Sequence, residues 1–206
     1  MDHLQKRIIA LRYWLTAKEY HSALKMMDFA ASCHTGKRKD NVTPEFSHQI
    51  MIAMYMKTLE KYLLYPEDTF IAVLGHDLIE DHNINLIKIR DKFGEKAADA
   101  IWLLTKKTID ITKTNESYFL AISEDPIASI VKGADRIHNQ QSMFNTFTIE
   151  KQKSYINETE IYILPTIKKA KRLFPEQEPV YENIKLMLIS QIELLQYAIN
   201  SSKTHP

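Results

Sequence analysis

The chemically capable side chains gather first in His76-Asp77-Leu78-Ile79-Glu80-Asp81, directly after the apolar run Ile71-Ala72-Val73-Leu74. An adjacent imidazole and carboxylate can share one cation when a packed segment holds them. Two further residues complete a candidate metal set. His48 opens a periodic apolar segment, and Asp135 rides on the apolar stretch that begins at Ile127. Neutral imidazoles and carboxylates in a mixed N/O shell suit manganese, iron or a similar divalent ion with positions left for water. A thiolate-rich zinc site is excluded, because Cys33 is the single cysteine. Glu80 and Asp81 follow one helical turn later, where carboxylates can orient and deprotonate a water beside an ion. Acids at a helix end oppose the helix dipole, which favours cations there, so this pair asks for a chemical explanation. His82 and His138 could ligate a second ion, although side chains so placed more often support a site or face solvent.

Helices must position these groups. Tyr65-Pro66-Glu67-Asp68 supplies a start for the segment that carries the dipeptide, with proline tolerated and acids favoured in the first turn. On one continuous helix His76 would stack with Glu80, and Asp77 with Asp81. Upstream, Leu4, Ile8, Leu11 and Leu15 recur at helical spacing. A second helix is expected over residues 20–33, with Ala23, Leu24, Met27, Ala30 and Ala31 facing inward. The pattern then breaks into a basic loop marked by Gly36, Lys37-Arg38-Lys39, Asp40-Asn41 and Pro44, and a helix resumes near His48. Residues 84–93 and 95–105 read as two helices, with Gly94 in the left-handed position that ends the first. Residues 106–117 read as a polar loop that offers Lys106, Lys107 and Lys113 to phosphates. Pro126 fits the start of the helix that carries Asp135. A long helix over 149–174 is expected to kink at Pro165, and a last one to run over 181–199. The predicted fold is all-α, one globular domain over residues 1–206.

Composition narrows the partners. The 206 residues are 45% hydrophobic and 26% charged, with only 4 glycines and 7 prolines, as suits a helical globular chain with short connections. A formal net charge of +1 gives no global field for nucleic acid or an anionic membrane, while local basic clusters remain available to a phosphorylated small molecule. No apolar run reaches the ~20 residues that cross a bilayer. The N-terminal residues lack a secretory leader pattern, and a single cysteine allows no internal disulfide. The expectation is a cytoplasmic protein with a small-molecule partner, neither nucleic acid nor membrane, and an open oligomeric state.

The motifs, taken in order, carry more than any of them alone. They are His34-x-Gly36-x-Arg38-Lys39, Pro44-x-x-x-His48, His76-Asp77-x-x-Glu80-Asp81, Phe93-Gly94, Leu104-Thr105-Lys106 and Asp135-Arg136-Ile137-His138-Asn139. Glu150-Lys151-Gln152-Lys153 and Glu158-Thr159-Glu160-Ile161-Tyr162 continue the series. Together they resemble the hydrolase domain of RelA/SpoT-type proteins over residues 20–165. The resemblance implies an all-helical HD-superfamily bundle. It also implies removal of pyrophosphate from the 3′ position of guanosine tetra- and pentaphosphate, (p)ppGpp, with one manganese ion. Carried over, His48, His76, Asp77 and Asp135 bind the metal, and Glu80 and Asp81 position and activate the attacking water. Arg38 and Lys39 hold the base by cation stacking and hydrogen bonds, and Asn139 reaches the ribose. Lys106, Lys151 and Tyr155 contact phosphates or wall the pocket.

The implied protein is a stand-alone small alarmone hydrolase, since the synthetase and regulatory regions of longer members lie beyond that domain. The chain also departs from the family pattern. The usual glutamine before the basic pair is missing, and Gly36-Lys37-Arg38 is one residue shorter. Pro44-Glu45 replaces Pro-Tyr, Gln49 replaces the proline after the first metal histidine, and Gln140-Gln141 replaces a hydrophobic residue and an arginine. These changes are expected to touch nucleotide recognition and to leave the metal set whole. Two alternatives follow. One is the same centre acting on another nucleotide, such as an adenosine (ppApp-like) alarmone, NADPH at its 2′-phosphate, or a dNTP. The other is a non-catalytic, nucleotide-sensing HD protein, which would have no need of Glu80-Asp81.

Overall fold

A computed structural model describes residues 2–144 and 146–201. Its helices are α1 (His3–Ala17), α2 (His21–Cys33), α3 (Ser47–Lys57), α4 (Pro66–Gly75), α5 (Leu78–His82), α6 (Leu86–Phe93), α7 (Glu95–Leu104), α8 (Asn115–Ser123), α9 (Ala128–Ser142), α10 (Ile149–Glu158), α11 (Leu164–Leu173) and α12 (Glu178–Ser201). The predicted all-α class is the observed one. Among the described residues the only β pairing is two isolated bridges, Lys37 with Pro44 and Lys107 with Thr112. No helix of the described residues is long and apolar enough to cross a membrane.

The bundle is organised around α4 and α9. Every residue of α4 from Thr69 to Gly75 is buried, and the helix packs against α2, α3, α7 and α9. A helix apolar on all sides belongs at the centre of a core. Along α9, Ala128 to Val131 and Gly133 to Ile137 are buried, including Asp135 and Arg136. Gly133 permits a close three-helix approach: a Cβ there would lie 2.6 Å from Ile184 Cγ2 of α12 and 3.1 Å from Ile167 Cδ1 of α11.

Four features differ from the sequence expectation. The segment carrying the dipeptide is not one helix: α4 ends at Gly75, His76 and Asp77 form a turn, and α5 follows. His76 Nδ1 donates to the Val73 carbonyl at 2.9 Å, and Asp77 takes φ −94°, ψ −5°, so the chain re-aims both side chains at the break. Residues 115–117 belong to a helix rather than to the expected loop. Thr114 caps α8 by accepting from the Ser117 N–H, and Tyr118, Phe119 and Ile122 bury its apolar face. On α2, Ala31 is exposed and Met26 takes the inward place. Gly94 has the expected positive φ, 94°, but its ψ of 159° is extended rather than helical. The predicted disturbance near Pro165 is real and is taken up by a π-helical turn, Thr159–Ile163, between α10 and α11. Proline removes a helix hydrogen bond, and widening the preceding turn relieves the clash of its ring.

Candidate metal centre

His48 enters from the first turn of α3, His76 and Asp77 from the break between α4 and α5, and Asp135 from the middle of α9. Their donor atoms converge. His48 Nε2 lies 3.3 Å from His76 Nε2 and 3.1 Å from Asp135 Oδ1. His76 Nε2 lies 3.0 Å from Asp77 Oδ2, and the two cross distances, His48 to Asp77 and His76 to Asp135, are both 3.9 Å. Ligand bonds near 2.1 Å place neighbouring donors about 3.0 Å apart in an octahedron, so this spacing suits one divalent ion.

The hydrogen-bond pattern supports the same fit. His76 Nδ1 is committed to the Val73 carbonyl, which leaves Nε2 as the nitrogen free to ligate an ion. Burial pushes the His76 imidazole down, but the charges of Asp77 and Asp135 outweigh it and hold it up at about 9. Asp77 is held down at about 2: burial raises it, and His76 more than offsets that. Without a metal, therefore, the centre holds a proton on His76 Nε2, at the point where the two carboxylates demand positive charge. A divalent ion can replace that proton. His48 is buried, which lowers it, and its Nδ1 lies 2.7 Å from Nδ1 of His138. Burial and the neighbouring cations lower His138 to about 3, so it stays neutral and can accept from His48 Nδ1–H, freeing His48 Nε2. His138 thus supports His48. It does not share a cluster with His82, as a second ion held by that pair would require; His82 lies against His34 and Glu45.

The donors sit at the floor of a cleft of about 710 Å³, and Glu80, Asp81, Arg38, Lys39, Asn139, Lys106, Lys151 and Tyr155 line it with them, whereas Lys107, Lys113, His82 and His138 do not. Asp81 is pushed up to about 6 by burial first and then by the charges of Asp77 and Glu80. Glu80 Oε2 accepts from the backbone N–H groups of Lys106 and Lys107 at 2.8 and 3.3 Å. Asn139 bridges: its Nδ2 donates to Asp135 Oδ1 at 2.6 Å, and its Oδ1 accepts from Arg38 Nη2 at 3.2 Å. Arg38 also donates to Ser142 Oγ. The Lys39 ammonium stands 4.9 Å from the Phe147 ring centre and that of Lys151 5.2 Å from Tyr155. Lys106 faces Glu158 at 3.5 Å.

Two contributors escaped the sequence reading. Lys132 places its ammonium 3.1 Å from Asp135 Oδ2, and its spacing of three residues on a helix was a usable signal. Gln49 Nε2 donates to Asp77 Oδ2 at 3.1 Å. Arg136 belongs to the motif but not to the open chemistry: it is buried, pairs with Glu158, and stacks 4.4 Å over Tyr155.

Fold and donor set define the class as an all-helical bundle with two imidazoles and two carboxylates at the floor of a cleft lined by basic and acidic side chains alike. Comparison with known proteins narrows it further. No family model matches the chain. It is 30% identical over 141 residues to a guanosine-3′,5′-bis(diphosphate) 3′-pyrophosphohydrolase of Aquifex aeolicus, covering 66% of this chain and 20% of that protein. It is 28% identical over 145 residues to a probable enzyme of the same name from Synechocystis, covering 66% and 18%. The chain thus spans about a fifth of the length of these curated relatives. Its fold matches a solved structure described as a metazoan ortholog of SpoT that hydrolyses ppGpp, with a TM-score of 0.63 and 18% identity over 84% of this chain and 94% of the other. The chain resembles RelA/SpoT-type HD hydrolases in sequence and shares their fold.

Proposed function

We propose that the chain is a metal-dependent guanosine-3′,5′-bis(diphosphate) 3′-pyrophosphohydrolase, which takes pyrophosphate from (p)ppGpp and leaves GDP or GTP. One observation carries the reading: the two imidazole nitrogens lie 3.3 Å apart and each is within 3.0–3.9 Å of both carboxylate oxygens, at the floor of a cleft that also presents Arg38, Lys39, Lys106, Lys132 and Lys151. The names of the relatives support the reaction. His48, His76, Asp77 and Asp135 would hold one divalent ion, manganese by the family resemblance. When bound, the ion supplies Lewis-acid activation of the scissile phosphate and the attacking water.

The chain's own groups do the rest. Asp81, pushed up to about 6, is suited to take a proton from water near neutral pH. Glu80, anchored at one oxygen by the 106–107 backbone, would orient that water. Lys106, Lys132 and Lys151 would neutralise charge gathering on the departing pyrophosphate. Arg38 and Lys39 would hold the base and Asn139 the ribose, while Tyr155 walls the pocket. In this reading residues 1–206 act as one domain, in the reducing cytoplasm that a lone cysteine suits.

The test is incubation with guanosine tetraphosphate and manganese, with products resolved by chromatography. GDP and pyrophosphate should appear, and Asp77→Ala or Glu80→Ala should lose turnover by at least ~100-fold with the helical circular dichroism unchanged. Undiminished turnover in both variants overturns the assignment. A second reading, another phosphorylated nucleotide as substrate, draws on the Arg38–Asn139 bond, because the groups assigned to base and ribose engage each other. A substrate panel scored for pyrophosphate against orthophosphate separates the two.

A further inference from the structure

We propose that His34, Glu45 and His82 form a second cation site that takes a zinc-class divalent ion and pins the basic hairpin to the end of α5. Three segments meet there. His34 is the C-cap of α2, Glu45 stands at the base of the turn between α2 and α3, and His82 is the last residue of α5. His82 Nε2 lies 2.8 Å from His34 Nδ1 and 3.3 Å from Glu45 Oε1, and His34 Nδ1 lies 3.1 Å from the same oxygen. Two nitrogens and one oxygen thus lie close enough to share one ion. A tetrahedral ion with bonds of about 2.0–2.1 Å sets its donors about 3.3 Å apart.

No protonation state turns all three edges of this triangle into hydrogen bonds. Glu45 Oε1 only accepts when ionised, and each of the two nitrogens carries at most one proton. If both are protonated, both can donate to Glu45 Oε1, but two donor nitrogens are then pressed to 2.8 Å of each other with no bond between them. If only His82 is protonated at Nε2, the bare His34 Nδ1 faces the carboxylate lone pair to lone pair. If only His34 is protonated at Nδ1, the bare His82 Nε2 meets the carboxylate in the same way. With neither, all three edges repel. A cation at the centre turns all three lone pairs to use. The far nitrogen of His34, Nε2, is buried without a partner in each of these states and does not choose among them. Two imidazoles and a carboxylate form a borderline-soft donor set suited to zinc or cobalt rather than magnesium or calcium. The His34 side chain is fully enclosed, whereas Glu45 and His82 are 26% and 22% exposed, so water can complete the shell from that side.

The consequence is mechanical. Between His34 and Glu45 the chain forms a tight hairpin: Arg38 N–H donates to Thr43 O, Glu45 N–H to Gly36 O, and Asp40 accepts from the N–H groups of Val42 and Thr43. Its arm carries Arg38 and Lys39, while α5 carries Glu80 and Asp81. An ion at the hairpin base fixes these two sets relative to each other.

The test is titration of the purified full chain with cobalt(II), followed by the visible absorption of tetrahedral cobalt and by bound-metal analysis. The wild type is expected to bind two equivalents. His82→Ala and the near-isosteric Glu45→Gln should each bind one and lose the tetrahedral band, whereas Asp77→Ala should keep that band. Zinc should protect the 36–45 hairpin from limited proteolysis in the wild type but not in Glu45→Gln. Wild-type stoichiometry and band in whichever of His82→Ala and Glu45→Gln folds overturns the site, and so does loss of the band in Asp77→Ala. If Asp77→Ala binds as much cobalt as the wild type while His82→Ala binds less, the second site stands and the cleft reading falls.

Discussion

Gln49 gives the strictest test of how the centre in the cleft is held. The residue is 1% exposed, and its Nε2 donates to Asp77 Oδ2, the oxygen that also faces His76 and His48. The other end of the same amide, Oε1, is buried without a partner. Gln49→Leu removes both at nearly constant volume. In the metal-free protein the lost bond to a carboxylate costs about 1.5–3 kcal/mol, and deleting an orphaned buried acceptor returns about 1–3 kcal/mol. The two offset each other to within about 1 kcal/mol, a shift in Tm of no more than about 2–4 °C for a chain of this size. Metal binding has no such offset. Partners that orient a ligand are worth about 10–100-fold in affinity. The Asp77 side chain is 30% exposed, so water can replace the donor, and the expected loss is about tenfold, or ~1.4 kcal/mol. Calorimetric titration of both proteins with manganese at one pH reads the first quantity, and urea unfolding of the metal-free forms reads the second. A manganese affinity unchanged within about threefold, or a metal-free protein destabilised by more than ~2 kcal/mol, refutes the reasoning.

Three further outcomes are expected. Glu158→Ala strips the buried Arg136 guanidinium of its carboxylate. Because the Glu158 side chain is 26% exposed, the loss should fall below the full buried-pair range, at about 2–3 kcal/mol in denaturant unfolding, and a loss under ~0.5 kcal/mol contradicts a stabilising pair. Burial raises the Glu158 carboxyl but Arg136 outweighs it and holds it below its ordinary 4.5, so its contribution is present above that pH and disappears as pH falls through the lower folded value. Gly133→Ala forces a Cβ to 2.6 Å from Ile184 Cγ2, a contact short enough to put the overpacking in the upper part of its range, about 2–3 kcal/mol, and less a helix gain of ~1 kcal/mol this leaves the protein less stable by about 1–2 kcal/mol; no change in the unfolding midpoint would sink this account of α9 packing. Asp81 must be ionised to accept a proton, so kcat/KM should fall as pH drops. Its value of about 6 is set first by burial, and a bound cation draws it down, which puts the acid limb between about 4 and 6. A limb above pH 7 argues for a different base.

Much of this architecture was legible because the signals were local. The α1, α3 and α12 faces follow apolar spacing, Pro66 starts α4, and Asp135 and its neighbours stand on a periodic helix. What stayed hidden depends on tertiary contacts. The break after Gly75 leaves no mark in periodicity, because every residue from Thr69 to Gly75 is buried on all sides and a helix without a polar face carries no phase. The start of α8 was masked by polar Asn115, Glu116 and Ser117, although Thr114 ahead of Tyr118-Phe119 is a capping signal. Pairings among the imidazoles are contacts between distant segments: His48 meets His138 and His34 meets His82 only after α2, α3, α5 and α9 have packed.

The departures from the family pattern acquire a different meaning in three dimensions. They were expected to bear on nucleotide recognition and to leave the metal set untouched. Glu45, in place of tyrosine, joins two histidines. Gln49, in place of proline, bonds directly to Asp77. Gln140 is buried and donates to Thr159 Oγ1 inside the bundle, where the π-helical turn begins. None of these three contacts involves Arg38 or Lys39, the residues assigned to the base. Three of the substituted positions therefore act on what holds the segments that carry the candidate ligands and the helices behind them, and Gln49 shows the mechanism most directly. A proline at 49 has no side-chain donor to offer Asp77, so a chain with proline there must orient that carboxylate in another way. Gln49→Pro is accordingly expected to weaken manganese binding at least as much as Gln49→Leu. Position 49 lies in the first turn of α3, where proline is tolerated, so the helical content should survive. Manganese affinity equal to the wild type in the proline variant would show that the amide is a bystander and that Asp77 is held by its backbone alone.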